Sequence, residues 1–239
     1  MNKIKSYIPN FVTLLNMFSG IIALFFVFEN NWHKVFLFVA LGIFFDFFDG
    51  LLARKLNVSG KLGLQLDSLA DMITSGLVPS LTLFFLIQNA LNIRVFDHFQ
   101  WDIPHLLPFF GLLVALASAL RLAKFNIDER QTSSFIGMPT PANTLMILSI
   151  PFLMHTSLKE IFENPYFLAV FSVISGYLLN MELPLFSLKF KNFSWRYNWE
   201  KYILLITSLI FILKFGIASL FFIILLYIFL SITANRIKN

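Results

Sequence analysis

The sequence contains no cysteine among its 239 residues. Disulfide bonds, thiolate zinc sites and a cysteine nucleophile are therefore excluded. Charge is also scarce: 13% of the residues are Asp, Glu, Lys or Arg, whereas soluble globular chains carry about 25%. The chain has neither a glycine-rich phosphate loop nor a serine–histidine–aspartate arrangement. These absences remove several enzyme classes and make an ordinary water-soluble domain a poor fit.

Hydrophobic residues make up 58% of the chain, and the mean hydropathy is +0.77. Apolar runs long enough to cross about 30 Å of hydrocarbon recur along the sequence. We therefore predict an all-α integral membrane protein that forms a single membrane domain. The first run lacks an Ala-x-Ala-type site, so we expect a retained span rather than a cleaved signal peptide. Eight spans are expected near residues 11–28, 34–53, 66–87, 107–123, 142–156, 165–182, 202–214 and 216–233.

The basic residues predict which side of the membrane each loop faces. Of the 18 lysines and arginines, Lys34, Arg94, Lys159 and Lys214 fall on one side of the predicted spans. The other side carries 14 basic residues. The positive-inside bias predicts that this side is the cytoplasmic face of a bacterial-type inner membrane. Both termini then face the cytoplasm. The 14 residues are Lys3, Lys5, Arg54, Lys55, Lys61, Arg121, Lys124, Arg130, Lys189, Lys191, Arg196, Lys201, Arg236 and Lys238.

Four aspartates form the most informative group in the chain. Asp46 and Asp49 lie three apart at the end of the second predicted span, and Asp67 and Asp71 lie four apart at the start of the third. On helices these spacings place each pair on one face. A glycine-containing loop joins the two helices, so they can return antiparallel. We therefore expect the four carboxylates to converge.

Such a cluster is costly in a membrane unless a cation accompanies it. A charged aspartate at the centre of a membrane helix costs about 2.5–3.5 kcal/mol on insertion scales, and converging carboxylates repel one another. One or two Mg²⁺ or Mn²⁺ ions relieve both costs because these ions prefer oxygen ligands. A pair of such ions can also clamp a diphosphate. The alternatives are interfacial charges paired with Arg54, Lys55 and Lys61, or the carboxylates of a cation channel or transporter.

Small and polar residues near the aspartates favour a nucleotide ligand. Gly50 and Ala53 keep the surface of the second helix low enough for a flat nucleotide to approach, and Arg54 is placed for a phosphate. At the start of the first span, Asn10 and Thr13 belong to a polar stripe with a spacing of three residues. On a helix this stripe would face a polar cleft rather than lipid. The alternative is that these polar residues cap a helix at the interface.

The pattern Asp46-x-x-Asp49-Gly50-x-x-Ala53-Arg54, followed after eight residues by Gly63-x-x-x-Asp67-x-x-x-Asp71, resembles the signature of the CDP-alcohol phosphatidyltransferases. All eight defining positions are present at that family's spacing. The resemblance implies a six-helix membrane core, usually dimeric, here followed by a C-terminal helical hairpin. It implies that the four aspartates bind metal and that Asp71 is the general base. It also implies a CDP-diacylglycerol site lined by Asn10, Thr13, Gly50, Ala53, Arg54 and Gly63.

A second segment, residues 119–143, bears on the acceptor alcohol. Arg121 and Lys124 lie three apart at the cytoplasmic end of the fourth predicted span, and Asn126 lies just beyond. An arginine or lysine can hold a serine carboxylate, and an amide can orient the amine. The loop through Gly137 and Pro139 is stiffened by prolines and would hold such contacts at little entropic cost. The simpler alternative is a pair of positive-inside anchors followed by a turn.

Arg-Leu-Ala-Lys-Phe-Asn at 121–126 and Phe-Ile-Gly-Met-Pro-Thr-Pro at 135–141 are similar to the matching region of the serine-specific branch of this family. Lys124 stands where that branch commonly has arginine. The resemblance covers about residues 9–143. We expect residues 1–182 to form the catalytic core, with its signature at 46–71, and residues 183–239 to form a basic loop and a C-terminal helical pair.

The predicted reaction transfers the phosphatidyl group from CDP-diacylglycerol to L-serine and releases CMP. It uses Mg²⁺ or Mn²⁺ in a site that faces the cytoplasm, and the protein is expected to be a homodimer in membrane lipid without a nucleic-acid partner. One alternative is the same chemistry with glycerol 3-phosphate or an inositol phosphate as acceptor. A divalent-cation transporter and an inactive lipid-binding relative are the other two.

Overall fold

The computed structural model describes residues 2–58, 60–97, 99–128, 135–186 and 194–238. Most of this part is helical, which confirms the predicted all-α membrane class. The α-helices are α1 (Asn2–Phe28), α2 (Trp32–Lys55), α3 (Lys61–Asp71), α4 (Val78–Ala90), α5 (Ile103–Leu106), α6 (Leu113–Ile127), α7 (Thr140–Leu148), α8 (Ile150–Leu153), α9 (Lys159–Phe162), α10 (Pro165–Asn180), α11 (Trp195–Phe215) and α12 (Leu220–Lys238).

Five helical stretches in the described ranges are long and apolar enough to cross a membrane. They are Tyr7–Phe28, Trp32–Lys55, Lys61–Ala90, Ile103–Ile127 and Tyr197–Ala234. The last is divided into α11 and α12 by a 3₁₀ turn over Gly216–Ser219, where Gly216 has a φ of 58°. The shorter apolar helices Thr140–Leu153 and Pro165–Asn180 lie where the fifth and sixth spans are predicted, and α11 and α12 lie where the last two are predicted. Five stretches, rather than the eight predicted, thus have the length of a membrane span in the described ranges. Arg130, Lys189 and Lys191, which support the predicted orientation, lie outside the described residues.

The third span changes its helical geometry directly after Asp71. A π-helical turn over Met72–Leu77 joins α3 to α4, so the helix continues from Lys61 to Ala90. Pro79 lacks the N–H that would reach the Ser75 carbonyl in an α-helix. Thr144 in α7 satisfies that carbonyl instead, because its Oγ1 donates to it at 2.8 Å. This hydrogen bond therefore links the π turn to α7.

The first three spans pack closely because small residues line their contact. A Cβ added at Gly42 in α2 would lie 2.7 Å from Thr74 Cγ2 and 2.9 Å from Asn16 Oδ1. A Cβ at Gly20 in α1 would lie 2.4 Å from Thr74 Oγ1. The hydroxyl of Thr74 donates to the Asn16 carbonyl at 3.1 Å. These contacts set α1 against the π turn of the third span.

The second half of the chain supplies the larger apolar core. Buried side chains from α4, α7, α8, α10 and α12 pack together there, among them Leu83, Ile147, Ile150, Leu168 and Leu230. A two-residue antiparallel pair that the sequence did not predict, β1 (Phe135–Ile136) with β2 (Pro184–Leu185), joins the segments before α7 and after α10. Helix α12 packs on α7 and β2, whereas α11 packs mainly on α12.

Gly111 provides a test of this packing. A Cβ at this position would lie 2.6 Å from the Phe84 backbone nitrogen, and backbone cannot turn aside as a side chain can. We expect Gly111→Val to destabilise the protein by about 1–3 kcal/mol, the usual cost of overpacking. Thermal unfolding in detergent measures this. Gly60→Ala is the matched control, because nothing lies within 4 Å of a Cβ there. Equal melting temperatures for the two variants would contradict the close contact.

Candidate active site

The carboxylates lie where α2 ends and α3 begins. One oxygen from each of Asp46, Asp49 and Asp67 lies within 4.8 Å of the others, and we call these three residues the carboxylate triad. Asp71 follows Asp67 by one helical turn and accepts a hydrogen bond from Asn16 Nδ2 at 3.3 Å. The structure thus brings three of the four predicted aspartates into one group and holds the fourth next to α1.

No ion pair compensates these charges in the part of the chain that the structure describes. Ion pairs in the described residues include His105–Asp102 and Lys159–Glu163, and none there involves the triad or Asp71. Asp49 is only 6% exposed, and its buried Oδ2 has no hydrogen-bond partner. Buried carboxylates without partners are strongly disfavoured. The alternative in which Arg54, Lys55 and Lys61 neutralise the aspartates finds no support here.

The triad has the donor set of a divalent-cation site. Carboxylate oxygens are the ligands that Mg²⁺ and Mn²⁺ prefer, and the unpartnered Asp49 oxygen is available to an ion. Both neighbours that α1 offers are uncharged. Thr13 lies beside Asp49, and Asn16 donates a hydrogen bond to Asp71. The residues present therefore fit such an ion, and the chain itself supplies little positive charge in its place.

A cleft of about 200 Å³ opens beside the triad. Two triad members, Asp49 and Asp67, form part of its wall. Arg54 is exposed at its edge, and its Nη1 lies 3.6 Å from where a Cβ of Gly50 would be. All six residues predicted to line a nucleotide site occur in this cleft, which is bordered by Pro9, Asn10, Thr13, Asp49, Gly50, Ala53, Arg54, Val58, Gly60, Gly63, Leu64 and Asp67.

The polar stripe of α1 faces this region, as its spacing predicts. A Cβ at Gly63 would lie 3.3 Å from Asn10 Oδ1, so α1 and α3 approach closely at the cleft. Thr13 is buried, and its hydroxyl donates to the Pro9 carbonyl at 3.1 Å. Asn16 is fully buried and carries the contact to Asp71. Asn16 belongs to the same polar stripe, three residues after Thr13, but this spacing did not predict its contact with Asp71.

Arg121 is held by main-chain carbonyls from two distant segments. Its Nη1 donates to the Ile136 carbonyl at 2.7 Å and to the Leu179 carbonyl at 2.9 Å, and the residue is 7% exposed. Gly137 has a φ of 76°, and a Cβ there would lie 2.8 Å from the same Nη1. Glycine is therefore required at 137 both by its backbone conformation and by the guanidinium beside it.

The other residues predicted to bind the acceptor are divided between several places. Lys124 is exposed and lines a small cavity of about 50 Å³ together with Arg121, Asp128 and Glu182. Asn126 lies apart from that cavity and exchanges hydrogen bonds with Ser68 in α3, at 2.9 Å from Nδ2 to Oγ. Pro139 precedes the first residue of α7. Of the five residues predicted to bind the acceptor, Arg121 and Lys124 line this cavity together.

Comparison with known proteins agrees with the geometry. The family model described as CDP-alcohol phosphatidyltransferase matches residues 6–184. This chain belongs to the CDP-alcohol phosphatidyltransferase family. The matched region contains the triad, Asp71, the cleft and Arg121, so the resemblance that the signature indicated is confirmed.

Several members of the CDP-alcohol phosphatidyltransferase family are similar to this chain over much of its length. A protein of Bacillus subtilis (strain 168) named CDP-diacylglycerol–serine O-phosphatidyltransferase is 36% identical over 180 residues, which are 73% of this chain and 86% of the relative. A protein of the same name from Helicobacter pylori (strain 26695) is 29% identical over 227 residues, covering 89% and 85%. A third, from Saccharomyces cerevisiae, is 30% identical over 175 residues, covering 66% and 57%.

The unpartnered carboxylate of Asp49 leads to a test of ion binding that does not depend on turnover. Mn²⁺ should raise the melting temperature of the EDTA-treated protein, because an ion at about 100 times its dissociation constant adds about 2.7 kcal/mol of stability. In Asp49→Asn we expect most of this rise to disappear. Glu163→Gln, remote from the triad, should respond like the wild type. An unchanged Mn²⁺ response in Asp49→Asn would remove that residue from the ion site.

Proposed function

We propose that this enzyme transfers the phosphatidyl group of CDP-diacylglycerol to L-serine, giving phosphatidylserine and CMP. The observation that carries the proposal is the carboxylate triad, uncompensated by any described cation, beside a cleft that contains every residue expected to contact the nucleotide. The three relatives described above bear the name of the serine-specific enzyme, which supports serine as the acceptor.

We propose one or two Mg²⁺ or Mn²⁺ ions as the cofactor, held by Asp46, Asp49, Asp67 and Asp71. When bound, such ions neutralise a diphosphate and stabilise the oxygen that leaves with CMP. The chain's part is to hold four carboxylates at fixed positions on two helices. Since carboxylates on a rigid hairpin move little, the diphosphate meets a site that is already organised.

The cleft is the proposed site of the CDP moiety. Gly50, Ala53 and Gly63 leave its walls low, and Asn10 and Thr13 present polar groups from α1. Arg54 lies at the cleft edge, where its guanidinium can bind a phosphate through paired hydrogen bonds. The acyl chains would remain in lipid while the headgroup lies over the hairpin, so the substrate would enter sideways from the membrane.

Asp71 is the proposed general base for the acceptor hydroxyl. It lies one turn beyond the triad member Asp67, close to the region where the diphosphate would bind. Asn16 Nδ2 donates to Asp71 Oδ1, which orients the carboxylate and leaves Oδ2 for the serine hydroxyl. After Asp71 takes the proton, the serine oxygen attacks the phosphorus that carries diacylglycerol, and CMP leaves with the bonding electrons.

Lys124 is the proposed partner of the serine carboxylate, because it is exposed and lines a small cavity with Arg121. Arg121 already uses Nη1 on two carbonyls, and it would contribute through its remaining N–H groups while fixing Gly137 and the turn at Pro139. Asn126 would anchor this end of α6 to α3 through Ser68. A phosphorylated acceptor calls for a denser basic cluster than Arg121 and Lys124, which share their cavity with the carboxylates of Asp128 and Glu182.

The remaining parts of the proposal concern arrangement in the membrane. We place the aspartates and both termini at the cytoplasmic side, following the bias of the basic residues, and we propose a homodimer. Residues 1–182 would form the catalytic core. The C-terminal pair would support it through α12, because Tyr227 donates its hydroxyl hydrogen to the Phe186 carbonyl at 2.9 Å, beside β2.

The acceptor is tested by CMP release. The purified protein in detergent, with CDP-diacylglycerol and Mn²⁺, should release CMP with L-serine but not with glycerol 3-phosphate or an inositol phosphate. Asp71→Asn should release none with any acceptor, since loss of a general base costs about 10²–10⁴-fold. Release with a different alcohol alone would keep the transferase chemistry and overturn the choice of serine.

Lys124 offers a sharper test of the acceptor site. We expect Lys124→Ala to raise the KM for serine about tenfold or more and to leave kcat nearly unchanged, because a hydrogen bond to a charged group contributes about 1.5–3 kcal/mol. Lys55→Ala is the matched control, an exposed lysine on the same side that lines neither cavity. If both variants keep the wild-type KM, Lys124 does not contact serine.

A further inference from the structure

A cavity of about 680 Å³, here called the far cavity, has no part in the proposed reaction. It lies between the C-terminal end of α1, the C-terminal end of α4 and the segment that follows α4. Phe28, in its wall, is 15 residues beyond Thr13 on α1, which corresponds to about 22 Å along the helix. The far cavity is therefore at the opposite membrane face from the carboxylate triad.

One wall of the far cavity is apolar and held by ring contacts. Phe28, Phe85, Ile93 and Phe96 line it. Phe28 meets Phe85 edge-on at 5.4 Å between centroids, and Phe96 stacks on Phe84 at 5.9 Å. Phe28 is still 60% exposed and Phe96 76% exposed. This wall therefore continues onto the outer face of the bundle, where lipid chains lie.

The opposite wall is polar and has a fixed shape. Asn89 Nδ2 donates to Asn30 Oδ1 at 2.7 Å, which links the ends of α4 and α1. Gln88 is buried, and its Oε1 accepts from the Val95 backbone N–H at 3.2 Å. Gln88 thereby fixes the segment after α4. That segment brings two charged side chains, Arg94 and Asp97, to the cavity.

Arg94 and Asp97 are opposite charges three residues apart that do not pair. They belong to one turn, in which the Asp97 N–H donates to the Arg94 carbonyl at 3.2 Å. Both are exposed and line the far cavity, yet within the described ranges neither takes part in an ion pair. Each charge is thus available to a ligand that carries the complementary charge.

We propose that the far cavity binds a phospholipid of the adjacent leaflet whose headgroup carries both a phosphodiester and a primary ammonium. The phosphodiester accepts hydrogen bonds from Arg94, because a planar guanidinium can donate two parallel hydrogen bonds to phosphate oxygens. The ammonium donates to the carboxylate of Asp97. The acyl chains follow the apolar wall from Phe96 and Phe28 into the membrane. Trp101, which is 85% exposed near the same end, is an amphipathic side chain typical of headgroup depth.

Native mass spectrometry of the purified full-length protein tests this proposal. The protein is incubated with phosphatidylethanolamine, phosphatidylcholine or phosphatidylglycerol of identical acyl chains, and the retained lipid is counted. We expect the wild type to retain phosphatidylethanolamine most strongly. The quaternary ammonium of phosphatidylcholine has no N–H to donate, and phosphatidylglycerol has no ammonium. Equal retention of phosphatidylethanolamine and phosphatidylcholine would overturn the proposal.

Two variants test the contributions of Arg94 and Asp97 to lipid binding separately. Arg94→Gln should weaken retention of phosphatidylethanolamine and phosphatidylglycerol about tenfold each, whereas Asp97→Asn should weaken only phosphatidylethanolamine by such a factor. The matched controls are Lys159→Gln and Glu163→Gln, an ion pair at 3.6 Å that does not line the far cavity, which should bind like the wild type. Unchanged retention in both cavity variants would place the lipid elsewhere. CMP release should be the same in all four variants, so this test is independent of the proposed transfer reaction.

Discussion

Repulsion between carboxylates is the constraint on which the rest of this structure depends. Asp46, Asp49 and Asp67 share a space a few ångströms wide at the end of a membrane hairpin, and within the described chain no lysine or arginine pairs with them. The energy that holds them together must come from the packing of α1 to α3 and from ligands. A site built this way is poised to bind positive charge, and a bound cation then makes it attractive to a diphosphate.

Helix α1 places uncharged polar groups, rather than cations, next to the mutually repelling carboxylates. Asn16 and Thr13 bring an amide and a hydroxyl to the aspartates rather than a competing cation, and Gly20 and Gly42 let α1 approach closely enough for them to do so. A lysine in place of Thr13 or Asn16 would pair with a carboxylate and occupy the space that a metal ion requires. The same packing that stabilises the hairpin thus preserves its affinity for an ion.

Much of the fold and part of the site could be predicted from the sequence because both depend on local spacing. The spans follow from apolar runs, and the convergence of Asp46, Asp49 and Asp67 follows from helical periodicity with a short connecting loop. The contacts of Arg121 could not be predicted, since its partners are main-chain carbonyls as far as 58 residues away and carbonyls carry no sequence signal. The Asn16–Asp71 contact spans 55 residues, and the stripe on α1 indicated a face but not a partner.

The π turn between Asp71 and Pro79 also sets the rotational phase of the third span. A π turn holds one residue more than an α turn, and each residue of an α-helix advances by about 100°. The six residues Met72–Leu77 therefore turn the helix through about the same angle as five residues in α geometry, so Asp67 and Asp71 stay in phase with the core positions of α4. If the same six residues were α-helical, the two aspartates would be rotated by about 100° relative to that core. The π geometry thus lets the third span carry one more residue without turning its carboxylates away from those of α2.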